Sequence, residues 1–195
     1  MTTTAVRRPN TRERILVASL ELFLERGFDG TTISDIERAV GLAAGTGSFY
    51  RHFRSKEDVF VAAVQRSATE YIEEFLAVLQ ELDGIDDPVE RLRRDFHMRL
   101  AAVQRFDPIV RLVTSERERF PELQKTFTTG LELDQWRLGW DEHPLPGVVM
   151  AALVGYGQLS QLDGSPYRDI PAGDFVDALV QLLTDAGVTP PLREH

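Results

Sequence analysis

Apolar side chains recur at three- and four-residue intervals along most of this chain, in stretches separated by glycine, proline or short polar runs. That spacing predicts helices, and no segment alternates with the period of two that a hairpin strand requires. Residues 1–10, rich in Thr and Arg, lack the pattern and read as a flexible basic arm. Asn10 caps a first helix over about 11–27, with Glu13 reaching back toward it, and Ile15, Leu16, Leu20, Leu22 and Phe23 form its inward stripe. After a turn at Gly27–Gly30, Thr32 caps a second helix whose stripe is Ile33, Ile36, Ala39 and Val40 and which Gly41 ends. A third, over about 44–50, has to run through Gly45 and Gly47. Each glycine disfavours helix by ~1 kcal/mol relative to alanine, so this segment depends on packing from Leu42, Phe49 and Phe53.

Ser55 caps a long helix over 55–82, with Glu57 and Asp58 in its positive first turn and a stripe that includes Val59, Phe60, Ala63, Val64, Tyr71, Phe75 and Leu79. Further helices are expected at about 87–105, 107–117, 119–140, 146–162 and 172–187, with prolines at or between their starts, where a missing N–H is tolerated. The expectation is an all-α protein of about nine helices. It divides into the arm (1–10), a small head (11–54) and a larger helical body (55–195), with the helix 55–82 connecting the last two.

The net charge of −9 at first counts against a nucleic-acid partner, because phosphate attraction needs positive charge at the contact surface. The distribution reverses that inference. Through Phe60 there are nine Lys or Arg against eight Asp or Glu, and the remaining 135 residues carry thirteen against twenty-three, so the acidity lies in the body. Arg7, Arg8, Arg12 and Arg14 make one basic cluster, and Arg51, Arg54 and Lys56 another. The absence of cysteine removes disulfides, thiolate chemistry and cysteine-bound metal. No stretch reaches the ~20 apolar residues of a membrane span and no export signal opens the chain, so a cytoplasmic location is expected by elimination.

Catalytic and cofactor chemistry find no foothold. Gly41, Gly45 and Gly47 suggest a phosphate loop, but no strand precedes them and no Lys-Ser or Lys-Thr comes after. His52, His97, His143 and His195 lack partners at the spacing of a helical metal site, and no nucleophile, base and orienter can be assembled. The protein is therefore expected to be no enzyme and to carry no metal or cofactor.

Three short helices within about 40 residues, with a tight turn between the second and third, make a helix-turn-helix, whose last helix enters the major groove. The run Thr31-Thr32-Ile33-Ser34-Asp35-Ile36, Ala39-Val40-Gly41-Leu42, Gly47-Ser48-Phe49-Tyr50-Arg51-His52-Phe53 and Ser55-Lys56-Glu57 resembles the DNA-binding signature of the TetR (tetracycline-repressor-like) family. The resemblance starts at Thr11-Arg12-Glu13-Arg14-Ile15-Leu16 and reaches about residue 64, a third of the chain. One departure is that Gly41 to Tyr50 is about two residues longer than the common form, with Gly45-Thr46-Gly47 where a single glycine is usual.

The resemblance implies a dimeric, ligand-responsive regulator, a repressor above all, with double-stranded DNA and a small molecule as partners. The hydroxyls and amides at Thr31 and Thr32, and Lys56 beside Ser55, suit phosphate. Tyr50 and His52 are placed against phosphates in the family, while Ala44, Thr46, Ser48 and Phe49 face the bases. Arg7 and Arg8 reach along the duplex or stay idle. Phe49 and Tyr50 are each also readable as packing residues, and Lys56 as a solvated charge. In the body, Phe96, Met98, Phe106, Phe120, Phe127, Trp136 and Trp140 offer apolar surface to a hydrophobic or aromatic effector. His97 and Arg105 offer polar fixes, and core packing competes at each position. Val149, Leu153, Tyr156, Phe175, Leu179 and Leu182, on two helices rich in apolar and small residues, are expected at a two-fold interface. Such an interface would set two recognition segments ~34 Å apart on a near-palindromic operator. The alternative is a helical small-molecule-binding or enzymatic protein that has lost DNA binding.

Overall fold

The periodicity is realised as helices throughout a computed structural model that describes residues 10–43, 47–82, 84–126 and 145–187, and among these there is no strand. In chain order they are α1 (Thr11–Arg26), α2 (Ile33–Ala39), a 3₁₀ turn (Phe49–Arg51), α3 (Lys56–Leu82) and α4 (Pro88–Ser115). Then come a helix whose described part is 121–126 (α5), α6 (Leu145–Asp163), a second 3₁₀ turn (Tyr167–Asp169) and α7 (Ala172–Asp185). The arm with Arg7 and Arg8, the turn residues Ala44 and Thr46, and Phe127, Trp136 and Trp140 lie outside the described residues.

Two helices differ from expectation. The segments 87–105 and 107–117 form one continuous helix, α4, with Pro108 inside it. A proline there leaves the carbonyl four residues earlier without its donor; the Gln161 side-chain amide, reaching across from α6, donates to that Gln104 oxygen at 3.4 Å. The third helix does not run through Gly47, whose φ of +74° lies in the left-handed region. Beyond that glycine the chain makes a single 3₁₀ turn over Phe49–Arg51.

The chain makes two compact units. One unit takes in the N-terminal helices as far as Thr69 together with Ile109–Thr126; the other is Glu70–Pro108 with Phe127–His195. In the first, the head, Phe23, Phe28 and Phe60 form an aromatic core with centroids 5.0–5.7 Å apart. Phe120, expected in the body, completes it: its ring lies 4.6 Å from Phe60 and 5.2 Å from Phe28. In the second, the body, Leu92, Phe96 and Leu100 of α4 pack with Val149, Leu153 and Tyr156 of α6 and Val176, Val180 and Leu183 of α7. Each such buried side chain contributes ~1.5–3 kcal/mol.

A candidate nucleic-acid interface

The turns of the head leave backbone groups that their short helices cannot satisfy, and polar side chains take them up. The α1 N-terminus is capped as expected, Asn10 accepting from the Glu13 N–H at 2.9 Å, but Glu13 pairs with Arg66. At α2 the capping box is complete: the Thr32 hydroxyl accepts from the Asp35 N–H at 3.2 Å and the Asp35 carboxylate accepts from the Thr32 N–H at 3.1 Å. The hydrogen bond from the Thr32 hydroxyl is the main reason the Asp35 carboxyl is held below its ordinary value, with Arg38 at 2.9 Å assisting. The other end of α2 closes with the N–H of Leu42 on the Glu37 carbonyl and that of Gly41 on Arg38. Arg14 of α1 donates to the Val40 carbonyl beside it.

Glu37 sits on the inward stripe of α2, between Ile36 and Val40, and is buried. Its carboxylate accepts the N–H of Phe49 at 3.2 Å, so α2 holds the first residue of the 3₁₀ turn directly. Phe49 is itself fully buried, against Phe53 at 5.8 Å, and Arg12 lies 4.8 Å over the Phe53 ring. The turn is thus pinned at its start by a backbone bond and a ring, and Tyr50, the next residue, is left 59% exposed with its ring edge-on to Phe49. Ser48 and His52 on either side are half-buried, and Arg51 and Arg54 are exposed. Ser55 then caps α3, accepting from the Asp58 N–H at 3.1 Å, while Asp58 accepts from the Arg54 N–H at 2.8 Å.

Several residues expected on DNA are committed elsewhere. Thr31 is fully buried and its hydroxyl donates toward the Leu22 and Gly27 carbonyls at 3.1 and 2.9 Å, which ties the α1–α2 corner to α1. Thr32 spends its hydroxyl in the capping box. The Lys56 ammonium donates to the Phe28 and Thr31 carbonyls at 2.8 and 3.0 Å and stands 4.2 Å over the Phe28 ring, so its role is to clamp that corner. Phe49 is core, which corrects its assignment to base edges. Of the described members of the expected set, Thr32 and Tyr50 are exposed and Ser48, His52 and Lys56 half-buried, but the Thr32 hydroxyl and the Lys56 ammonium are engaged within the head.

Sequence reasoning missed Glu37, although a signal was there. Positions 33, 36, 37 and 40 form one helical face, and a carboxylate on a buried stripe requires a hydrogen-bond donor.

The body brings together only part of its expected set. Arg105 and half-buried Phe106 line a small cavity with Tyr71 of α3, but Phe96 is buried in the core and His97 is exposed. Asp95 and Arg99 form a buried bidentate pair on α4, at 2.6 and 2.9 Å. On α6 and α7 the expected interface residues Val149, Leu153 and Tyr156 are buried within the chain, because they face Phe96 and Val176 in the body core. The Tyr156 ring stacks on Phe175 at 4.2 Å and its hydroxyl donates to the Ile170 carbonyl at 2.7 Å. Gly157 serves the same packing: a Cβ there would meet Val103 at 3.0 Å. Phe175 and Leu179 are half-buried against this core, whereas Leu182 is 65% exposed. Val148, Leu159 and Leu162 of α6 are exposed too, at 60, 40 and 75%.

Two capped helices followed by a pinned turn that presents an exposed tyrosine have the form of a helix-turn-helix. Residues 15–63 match the family described as bacterial regulatory proteins, tetR family. The HTH-type transcriptional regulator TcmR of Streptomyces glaucescens is 35% identical over 94 residues, 48% of this chain and 39% of that protein. The HTH-type transcriptional repressor NemR of Escherichia coli K12 is 36% identical over 75 residues, 38% of this chain and 37% of that protein. The chain thus aligns with less than two fifths of either relative. Similarity of fold runs further. The structure of a TetR-family regulator from Mesorhizobium loti superposes with a TM-score of 0.71 at 18% identity, over 90% of this chain and 95% of that one. That of FadR from Bacillus subtilis in complex with stearoyl-CoA gives 0.56 at 16%, over 87% and 96%. Over residues 15–63 the chain is thus similar to the tetR family of bacterial regulatory proteins, and over most of its length it shares the fold of these solved structures.

Among the described residues no helix is long and apolar enough to cross a membrane.

Proposed function

We propose that this protein is a transcriptional repressor, not an enzyme, that binds a near-palindromic operator in the cytoplasm as a homodimer and is released by a small-molecule effector. The observation that carries the DNA-binding part is the 3₁₀ turn after α2. Glu37 and buried Phe49 fix its start, and Tyr50 stands exposed beside Ser48 and His52. Such a surface suits a hydroxyl and a ring nitrogen laid against phosphates, with Ala44, Thr46 and the arm residues Arg7 and Arg8 as further proposed contacts. The names of TcmR and NemR support regulation and repression, and the stearoyl-CoA held by FadR supports a small-molecule effector.

The dimer reading moves to a different face of the same helices. Val148, Ala152, Gly155, Leu159 and Leu162 recur at helical spacing along α6, and the three large ones are exposed, as is Leu182 of α7. A second copy related by a two-fold axis would cover them.

A gel shift with the DNA flanking the protein's own gene tests the proposal. Binding that weakens about fivefold in Tyr50→Ala, the ~1 kcal/mol of one hydrogen bond, supports it. Indifference of the unaltered protein to every duplex at low salt overturns it. Sedimentation of Leu162→Glu/Leu182→Glu tests the dimer: the variant should be monomeric where the parent is not.

A further inference from the structure

The cavity on the body between α3 and α4 has a volume of about 160 Å³. Its walls are the rings of Tyr71 and Phe106, 4.5 Å apart between centroids and tilted by 58°, with the Met98 thioether and the methyl groups of Ala101 and Ala102. Ala101 and Ala102, consecutive on α4 and both lining the cavity, are short enough to leave space that a larger side chain at the half-buried Ala102 would fill. At its mouth Arg105 and Glu74 form an exposed ion pair, both guanidinium Nη atoms donating to the carboxylate, the second at 3.3 Å. The guanidinium carbon also stands 5.5 Å over Phe106, so the cation is already placed on the aromatic wall.

Size and charge together narrow the ligand. A cavity of about 150 Å³ lined by apolar side chains accepts one benzene ring, and this one is of that size. The polar rim is not symmetric. Glu74 takes the Nη end of the guanidinium fork, and among the described residues nothing takes the Nε edge, which is a second donor pair with the geometry of a carboxylate. An exposed pair of this kind adds little stability, so a ligand anion can share Arg105 or displace Glu74 into water at small cost. An ammonium ligand would have to share the Glu74 carboxylate with the Arg105 cation, a like charge beside it. Burial pushes the Tyr71 hydroxyl up from its ordinary pKa, so it stays protonated beside the ring.

We propose that this cavity binds a single-ring aromatic carboxylate, its ring against Tyr71, Phe106 and Met98 and its carboxylate on the Nε edge of Arg105. The inference rests on the effector-responsive function proposed for the protein and names the chemistry of the effector site.

The test titrates the full-length protein with 4-fluorobenzoate, fluorobenzene and 4-fluorobenzylamine, monitored by fluorine NMR. Fluorobenzoate should bind about tenfold more tightly than either other ring, the worth of a charge-assisted hydrogen bond. Arg105→Gln should reduce fluorobenzoate to the level of fluorobenzene and leave fluorobenzene unchanged. Glu74→Gln, which frees the guanidinium and removes a like charge, should tighten fluorobenzoate. Ala102→Leu should abolish binding of every ring; Arg105→Gln and Glu74→Gln, which alter exposed positions, give the decision if that variant does not fold. Benzylamine bound as tightly as benzoate, or benzoate binding indifferent to Arg105→Gln, overturns the assignment. The same preparation is assayed for operator binding. Loss of the site with DNA binding intact fails only this inference, while ring binding without any DNA binding fails the regulator reading instead.

Discussion

The head and the body solve the same problem, holding short or interrupted helices together, by different means. In the head, side chains bond to backbone: Thr31 and Lys56 hold the α1–α2 corner, Arg14 the end of α2, and Glu37 the turn after it. In the body, side chains mostly pack on side chains, through Phe96, Leu153 and Val180 and the stacked pair Tyr156–Phe175. The difference arises from element length. A seven-residue helix and a three-residue turn cannot satisfy their own backbone or bury enough apolar surface, so they need directed bonds; helices of 14 to 28 residues do not. Directed bonds fix where a few atoms lie, which suits a surface that must match another molecule. Packing fixes volume.

The comparison can be broken most severely at one residue in each unit. Phe120→Ala should cost the head ~3–5 kcal/mol, read as lost amide-exchange protection in α1 and α3 near Phe23 and Phe60 with α7 unaffected. Asp95→Ala, which removes the bidentate carboxylate from the buried Arg99 guanidinium, should cost the body a similar ~3–5 kcal/mol by urea unfolding. The double change Asp95→Leu/Arg99→Met should recover most of that loss, because two apolar side chains need no partner. Glu37→Ala should cost ~1–3 kcal/mol by leaving the buried Phe49 N–H unsatisfied, and DNA affinity should fall with it. If Glu37→Ala leaves both stability and affinity unchanged, the contrast between directed bonds and packing does not hold.

The smallest effect is in acid. Asp35 and Asp29 of the head are held below the ordinary carboxylate value near 3.8, the first mainly by Thr32 and the second by Arg119. A carboxyl whose folded pKa is depressed stabilises above its unfolded value, and that stability is lost as pH falls through the folded one. Thermal unfolding of the head should therefore be flat near neutrality and decline below about pH 4. Thr32→Ala should flatten part of that decline. In the body Glu90, paired with Arg94 and Arg93, contributes with the same sign.

Much of the head was legible because its signals are local. The caps at Asn10, Thr32 and Ser55 lie within three residues of the groups they satisfy. What was not legible depends on distance along the chain. Lys56 reads as a phosphate ligand until Phe28 and Thr31 are seen beside it, and Phe120 reads as body until Phe60 is. In the body the periodicity located α6 and α7 within a residue or two, but a helix with apolar residues on several sides does not announce which side faces its own core. Val149, Leu153 and Tyr156 took the inner position, and Val148, Leu159 and Leu162 were left outside. Pro108 misled in the other direction, because the amide that supports it sits 57 residues away from the carbonyl it serves.

The place of Phe120 also bears on how chains with this division into units can be recombined. A hybrid built by grafting residues 1–69 onto a foreign sensor would leave out Ile109–Thr126, and with it a ring from the centre of the aromatic cluster and the Arg119 partner of Asp29. The transplanted reader would arrive with a hole in it. A working chimera has to carry both pieces of chain, or inherit from its host a segment that ends in an equivalent aromatic plug.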